Sequence, residues 1–148
     1  PHVKCLVDSG IPVLGHIGLL PQHAVAGAAF RLTGRSDEES AQLHADADAL
    51  VAAGVFGIVM EGVIEPVAAS IAQSCAVPTI GIGASAVCDG QILVTEDVLG
   101  LYDAFTPKFV QKFANLQDDI GAAAAGYRAA VIDGSFPTRD HLFWPKKT

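Results

Sequence analysis

The feature that most constrains the fold is an uninterrupted apolar run of strand length, Val55–Met60. A strand with one face in water alternates apolar and polar residues, so a run without alternation is typical of a strand buried on both faces in a parallel sheet. A similar run, Val77–Ile82, follows it in the chain. Ile11–Gly18 predicts an earlier strand and Gln91–Val94 a shorter, later one.

Helical patterns lie between these strands. Ser36 and Glu39 form a capping box that opens a helix, and Gly54 provides its C-terminal cap. Pro66 stands where the first turn of the next helix tolerates proline. Further helices are predicted at residues 1–9 (last turns only), from Thr106-Pro107 onward, and over Asp118–Asp133. Strands that alternate with helices predict a parallel β/α architecture.

This alternation leaves two architectures, an open doubly wound sheet and part of a (β/α)₈ barrel. A whole barrel takes about 250 residues and at least about 200, so a chain of 148 residues has room for about half of one. The helix pattern at residues 1–9 lacks a beginning, and the first residue is Pro1. We therefore expect one domain over residues 1–148, the C-terminal half of a barrel whose N-terminal strands lie upstream.

Composition excludes several function classes. A hydrophobic content of 51% with 17% charged residues predicts a packed core. The net charge of −7 argues against binding to nucleic acid or to an anionic membrane surface. No apolar run approaches the roughly 18 residues of a membrane span. Cys5, Cys75 and Cys88 fit neither a disulfide framework nor a zinc site, so we expect reduced thiols in a cytoplasmic protein.

Glu61 directly follows the apolar run Val55–Met60. A carboxylate at the carboxyl end of a parallel strand lies at the face of a β/α fold that carries active sites. Partial removal of water there makes a carboxylate suitable as a general base. The alternative is a solvated glutamate in the loop after the strand, and the spacing alone favours neither interpretation.

His16 lies within the first predicted strand, near Gly15 and Gly18. Small neighbours allow a ligand or another backbone to approach the imidazole closely. A histidine that is hydrogen-bonded inside the core is an equally good interpretation. No histidine shows the spacing of a zinc site relative to another histidine or to the cysteines, so we expect no zinc site in this chain.

Residues Gly81–Ala86 match the dinucleotide-binding pattern G-x-G-x-x-G/A after a predicted strand. That pattern requires a helix to open at once, whereas Asp89 and Gly90 predict a turn a few residues later. We therefore interpret these glycines as a flat strand end with space for a ligand.

Several motifs that include these residues occur in a fixed order along the chain. They are Gly15–Gln22, Gly34-Arg35, Val59–Glu61, Pro78–Ala84, Asp89–Val94, Pro107–Phe109, Phe136-Pro137 and His141–Phe143. Together they closely resemble the ketopantoate hydroxymethyltransferase family, also called 3-methyl-2-oxobutanoate hydroxymethyltransferases. The resemblance covers nearly all of the chain but only the C-terminal part of the family's length.

The resemblance implies a TIM barrel, of which this chain covers about the C-terminal half, and a homo-oligomer, usually a decamer. It implies transfer of a hydroxymethyl group from 5,10-methylenetetrahydrofolate to 3-methyl-2-oxobutanoate in pantothenate synthesis, with Mg²⁺ chelated by the keto acid. Glu61 matches the family's proton acceptor, and His16 matches a histidine that lines the substrate site. The metal-binding carboxylates and a substrate-binding lysine match strands upstream of Pro1. We therefore expect this chain to be inactive alone and to pair with that missing half.

Four departures from the family's usual sequence fall in loops around the active face. They are Leu20 for threonine, Ala28–Arg31 for a Gly-Gly-Tyr-Lys-like run, Ile64 for proline and Ser85 for glycine. These changes leave the fold expectation intact and bear on the substrate. Two alternatives stay open: a related Mg²⁺-dependent enzyme that cleaves a C–C bond of another 2-oxo acid, and a non-catalytic half-barrel that serves in binding or assembly.

Overall fold

The computed structural model describes residues 1–20, 31–102 and 104–145, and the departures at residues 28–30 lie outside that part. The chain divides into two compact units, residues 1–93 and 94–148. The first contains α1 (His2–Asp8), β1 (Leu14–Gly18), α2 (Asp37–Ala53), β2 (Gly57–Glu61), α3 (Glu65–Ser74), β3 (Thr79–Ile82) and β4 (Gly90–Gln91). The second contains α4 (Thr95–Leu99), α5 (Leu116–Asp133) and a 3₁₀ turn (Arg139–His141). The expectation of one domain over residues 1–148 stays a prediction.

The four strands form one parallel sheet in the order β1-β2-β3-β4. The parallel β/α architecture expected from the alternation is therefore confirmed. In the register of the sheet, His16 lies beside Val59, and Gly18 lies beside Glu61. Glu61 in turn lies beside Ile82. Because side chains alternate along a strand and neighbours in register share a face, His16 and Glu61 lie on the same face of the sheet.

Each strand is shorter than its apolar run predicts, because the runs also supply the turns beside the strands. The N–H of Val55 bonds to the carbonyl of Leu50 at the end of α2, at 3.3 Å. Pro78 has no N–H to donate to a ladder, although its carbonyl accepts the N–H of Ile58 at 2.9 Å. Val94, predicted as the end of the fourth strand, instead caps the N-terminus of α4.

The second helix, α2, begins and ends where the sequence predicts. The Ser36 hydroxyl accepts the N–H of Glu39 at 3.2 Å, and Gly54 adopts a left-handed φ of +89° after the last turn. The other half of the predicted capping box differs. The Glu39 carboxylate accepts the N–H of Arg35 at 2.9 Å, one residue before the cap, so it secures the approach to the helix.

One face of the sheet is buried under α2 and α3, and we call it the covered face. Its side chains Ile17, Ile58 and Met60 are at most 4% exposed. They pack in one cluster with residues of the two helices: Leu43, Ala47, Val67, Ala68 and Ile71. The covered face is therefore the hydrophobic core of the first unit, and Glu61 and His16 lie on the opposite face, which we call the open face.

The second unit has almost no core of its own. Within residues 94–102 and 104–145, only Gly100 is buried. The long helix α5 confirms the helix predicted over Asp118–Asp133, with Gly134 as its stop. Its predicted apolar positions, among them Ile120 and Tyr127, are exposed. Although α5 is 18 residues long and rich in alanine, no described helix is long and apolar enough to cross a membrane.

The prediction of a helix from Thr106-Pro107 is wrong. Only a single turn forms there, closed by the N–H of Val110 on the carbonyl of Pro107 at 3.0 Å. A helix would direct the N–H of Phe113 to the carbonyl of residue 109. It bonds instead to the carbonyl of Val98 in α4, at 2.9 Å. A contact distant in sequence thus takes the donor that the local helix would have used.

Candidate active site

The two residues singled out by the sequence lie together on neighbouring strands. Glu61 is the last residue of β2, and His16 is the middle residue of β1. Their side chains meet, with 3.3 Å between Nε2 of His16 and Oε2 of Glu61. A carboxylate that can accept a proton and an imidazole that can carry one are therefore side by side on the open face.

The pair is partly shielded from water. The side chain of Glu61 is 17% exposed and that of His16 is 33% exposed. Nε2 of His16 is itself buried and, within the part of the chain that the structure describes, makes no hydrogen bond. Its contact with Glu61 has the distance of an ion pair without the geometry of a hydrogen bond. A buried polar nitrogen left without such a bond is costly, so Nε2 is the unsatisfied polar atom of the pair.

Backbone hydrogen bonds fix the position of Glu61 from several directions. Its carbonyl accepts the N–H of Leu19 at 2.7 Å. The next residue, Gly62, donates its N–H to Ile82 at 3.0 Å and accepts the N–H of Thr33 at 2.9 Å. From the sequence, Gly18 stands out only as a small neighbour of His16, and nothing distinguishes Leu19 or Thr33. Their contribution comes from main-chain atoms, which leave no signature in side-chain type.

An apolar surface surrounds the pair on the open face. Val59 and Ile80 occupy that face and are half-buried. Leu14, at the start of β1, is 41% exposed. A cavity of about 340 Å³ between α1, α2 and β1 reaches His16 and Gly18 from the side. A small molecule with a short apolar chain fits such a surface better than a large polar ligand would.

The connection between β3 and β4 is held by side chains near its two ends. Asp89 accepts both the N–H of Thr79, at 2.8 Å, and its hydroxyl, at 2.9 Å. These two bonds lower the pKa of Asp89 below its usual range. Near the middle of the connection, Ser85 donates its hydroxyl to Glu65 at 3.0 Å. The departure at Ser85 therefore links the β3–β4 connection to the start of α3.

The dinucleotide-binding pattern at Gly81–Ala86 does not form the corresponding structure. A turn follows β3, and no helix opens there. The predicted space for a ligand is also filled at Gly81, because a Cβ there would lie 3.0 Å from the Gln91 side chain and 3.1 Å from Sγ of Cys88. Cys88 is buried in the core cluster, as a small apolar residue would be.

The described residues do not form a metal site by themselves. Within residues 1–20, 31–102 and 104–145, no three His, Cys, Asp or Glu side chains come close enough together to hold a metal ion. The pair of His16 and Glu61 supplies one carboxylate and one imidazole. Mg²⁺ requires several oxygen ligands in near-octahedral geometry, so this pair alone does not fit it.

Comparison with known proteins identifies the family. The sequence profile of the family described as ketopantoate hydroxymethyltransferase matches residues 1–139. A 3-methyl-2-oxobutanoate hydroxymethyltransferase from Paramagnetospirillum magneticum is 50% identical over 95% of this chain and 52% of its own length. The enzyme of that name from Rhodospirillum centenum is 51% identical over 98% of this chain and 53% of its own. A third, from Moorella thermoacetica, is 51% identical over 97% and 53%.

The fold and the site define a class, the parallel β/α proteins that carry reactive side chains at the carboxyl ends of their strands. Within that class, the chain belongs to the ketopantoate hydroxymethyltransferase family. It spans about half the length of the curated relatives it matches.

Proposed function

We propose that the protein carrying this chain transfers a hydroxymethyl group from 5,10-methylenetetrahydrofolate to 3-methyl-2-oxobutanoate, giving 2-dehydropantoate for pantothenate biosynthesis. The observation that carries the proposal is identity of about half the residues to relatives that bear the name of this activity, over nearly the whole chain. The position of Glu61 at a strand end supports it, since the reaction begins with removal of a proton from carbon.

In the proposed reaction, the Glu61 carboxylate accepts the proton from C3 of the 2-oxo acid. The electrons of the broken C–H bond form an enolate, whose C3 attacks the one-carbon unit of the folate. A C–C bond forms as one of the two bonds from that carbon to the folate nitrogens breaks. Water then replaces the second carbon–nitrogen bond and supplies the hydroxyl group, and the two nitrogens take up the C3 proton carried by Glu61 and one proton of the water. A positioned base contributes about 10²- to 10⁴-fold to such a proton transfer.

His16 is proposed as a substrate-binding residue. Its Nε2 is 3.3 Å from Oε2 of Glu61 and makes no hydrogen bond to another described residue. A ligand oxygen placed beside this nitrogen would satisfy it and would bring the ligand next to the carboxylate. The half-buried Val59 and Ile80 on the same face suit the branched apolar end of the 2-oxo acid.

The Mg²⁺ expected from the family resemblance requires ligands from elsewhere, because the described residues provide no set that fits it. When bound, Mg²⁺ stabilises negative charge that develops on a keto oxygen.

The proposed assembly is a closed TIM barrel of which this chain forms about the C-terminal half, within a homo-oligomer. The apolar side chains on the open face support it, because they are covered if the sheet continues into a barrel. The unpaired cysteines, Cys5, Cys75 and Cys88, support the proposal of a cytoplasmic location.

Hydrogen exchange at C3 tests the proposed chemistry directly. The natural-length protein means the whole protein that carries this chain. In deuterated water it should exchange the C3 proton of 3-methyl-2-oxobutanoate for deuterium, which collapses the methyl doublet in the proton NMR spectrum of the substrate. Glu61→Gln should slow this exchange by about 10²- to 10⁴-fold while substrate binding stays nearly unchanged. Glu65→Gln is the matched control, because it makes the same chemical change at a carboxylate that accepts a hydrogen bond from Ser85 and is not the proposed base. This variant should exchange the C3 proton at the parent rate.

Unchanged exchange in Glu61→Gln would remove Glu61 from the mechanism. Exchange by the parent without any transfer from 5,10-methylenetetrahydrofolate would instead favour the alternative enzyme that acts on a C–C bond of another 2-oxo acid. A parent that neither exchanges the proton nor transfers the one-carbon unit would favour the non-catalytic half-barrel.

A further inference from the structure

We propose that Gly18 is a positioning residue for Glu61, and that any side chain at position 18 displaces the base. The proposal rests on the proposed function of Glu61. Gly18 ends β1 with a left-handed φ of +93°. A Cβ built there would lie 2.2 Å from the carbonyl oxygen of Glu61 and 2.7 Å from Cγ2 of Val63. Carbon and oxygen atoms that are not bonded do not approach so closely, and the nearest obstacle is main chain.

The close approach at Gly18 serves a hydrogen bond. Because the chain passes directly over the end of β2, the N–H of the following residue, Leu19, reaches the carbonyl of Glu61 at 2.7 Å. Backbone of β1 and backbone of β2 are thus joined at the residue whose side chain faces the site. A larger residue at position 18 would separate the two segments and lengthen or break this bond.

The residue after Glu61 is also restrained. Gly62 adopts a φ of +59° and turns the chain immediately after the base. It donates its N–H to Ile82 of β3 and accepts the N–H of Thr33. With Leu19, three segments distant in sequence hold the two peptide groups that follow Glu61. The direction of the carboxylate therefore depends on the β1 contact that Gly18 permits.

Positioning of this kind affects rate more than binding. A displacement of about 1 Å in a catalytic group can reduce the rate by about 100-fold. The substrate contacts proposed for His16 and the apolar open face lie on other residues. We therefore expect a change at Gly18 to lower kcat for C3 exchange and to leave KM nearly constant.

The test compares Gly18→Ala with Gly10→Ala in the natural-length protein. Gly10 also has a left-handed φ, +80°, but apart from its two chain neighbours no described residue comes within 4 Å of a Cβ built there. Both variants thus impose a similar backbone strain, and only one meets Glu61. Gly18→Ala should lower kcat for C3 exchange by about 10- to 100-fold with KM within about threefold of the parent. Gly10→Ala should keep both constants within about threefold.

A second variant covers the case in which Gly18→Ala does not fold. Replacing the amide of Leu19 by an ester, with the same side chain, removes the N–H and adds no bulk. It should lower kcat in the same way and again leave KM nearly constant. A folded Gly18→Ala, or a folded ester variant, with the parent's kcat would overturn the proposal, as would a rise in KM alone.

Amide hydrogen exchange separates this proposal from the proposed function. The Leu19 amide should be protected in the parent and in Gly10→Ala, and it should exchange at least about tenfold faster in Gly18→Ala. If the parent does not exchange the C3 proton at all, the proposed function fails, and the contact at Gly18 is judged on the Leu19 amide. Unchanged protection in Gly18→Ala would refute the contact whatever the activity.

Discussion

The two faces of the sheet are built from the same strands and differ in what they contact. On the covered face, Ile58 and Met60 have no exposed surface and pack against α2 and α3. On the open face, Val59 is half-buried, and the side chains of His16 and Glu61 are 33% and 17% exposed. Alternate residues of one strand, β2, thus serve the core on one side and the candidate site on the other.

This difference shows where the molecule can accommodate reactive groups. A carboxylate on the covered face would be buried without a partner, which costs several kcal/mol. On the open face it keeps some contact with water and has an imidazole beside it. Yet Val59 and Ile80 make the same face apolar, which supports the proposal that further structure covers it.

The largest effect is expected when residues 1–148 are studied alone. We expect this polypeptide to convert no 3-methyl-2-oxobutanoate and to bind Mg²⁺ only weakly, because its described residues bring no metal-ligand set together. We also expect it to self-associate, since β1 and β4 each have one unpaired edge in the described sheet. Sedimentation, isothermal titration with Mg²⁺ and an activity assay check these expectations, with the natural-length protein as control.

A monomer of residues 1–148 that binds Mg²⁺ at micromolar concentration and turns over substrate would contradict this prediction. It would show that the open face needs no further structure and that the metal ligands lie within this chain. The open face of this chain would then be a complete site.

The next largest effect is expected from neighbouring residues on opposite faces of β2. Met60→Ala leaves a cavity under the helices and should destabilise residues 1–148 by about 2–5 kcal/mol. Val59→Ala removes a half-buried side chain and should cost about 1 kcal/mol or less in the same polypeptide. Urea unfolding of the two variants beside the parent measures both differences.

In the natural-length protein, the cost of Val59→Ala should rise while that of Met60→Ala stays the same, because only the open face gains a cover. Equal costs for Val59→Ala in the two polypeptides would count against closure of the barrel over this face.

The sequence predicted local features of the fold well. The apolar runs that supply most of β2 and all of β3, the Ser36 cap and the Gly54 stop depend on residues close in sequence, and each is present. The helix predicted from Thr106-Pro107 does not form, because the N–H of Phe113 bonds to the carbonyl of Val98 in another segment. A hydrogen bond to an acceptor distant in sequence cannot be predicted from local periodicity.

The candidate site could also be predicted only where it depends on residues close in sequence. Glu61 stands out because a charge ends an apolar run, which is a local signal. That His16 would come within 3.3 Å of it depends on the register between β1 and β2. The contact between Gly18 and the carbonyl of Glu61 depends on that register and on a left-handed φ. Neither the register between the strands nor the φ of Gly18 can be predicted from the sequence of one strand alone.

The smallest predicted effect concerns Thr79, a polar side chain fully buried on the covered face. Its N–H and hydroxyl both bond to the carboxylate of Asp89, and they lower the pKa of that group in the folded state. A lowered pKa means that the folded protein favours the charged form. The resulting stability is therefore present above the unfolded pKa of about 3.9 and is lost as the pH falls through the lower folded pKa.

Asp89→Asn isolates this contribution, because the amide keeps the shape and an acceptor oxygen but does not titrate. At neutral pH the variant should be less stable than the parent. The difference should shrink as the pH falls from about 5 towards 2, since the parent alone loses the charged partner of Thr79. Urea unfolding of both polypeptides over this range measures the difference, and the other titrating carboxyl groups cancel in the comparison. A difference that stays constant with pH would show that the charge of Asp89 adds nothing to the covered face, and that only its shape holds Thr79.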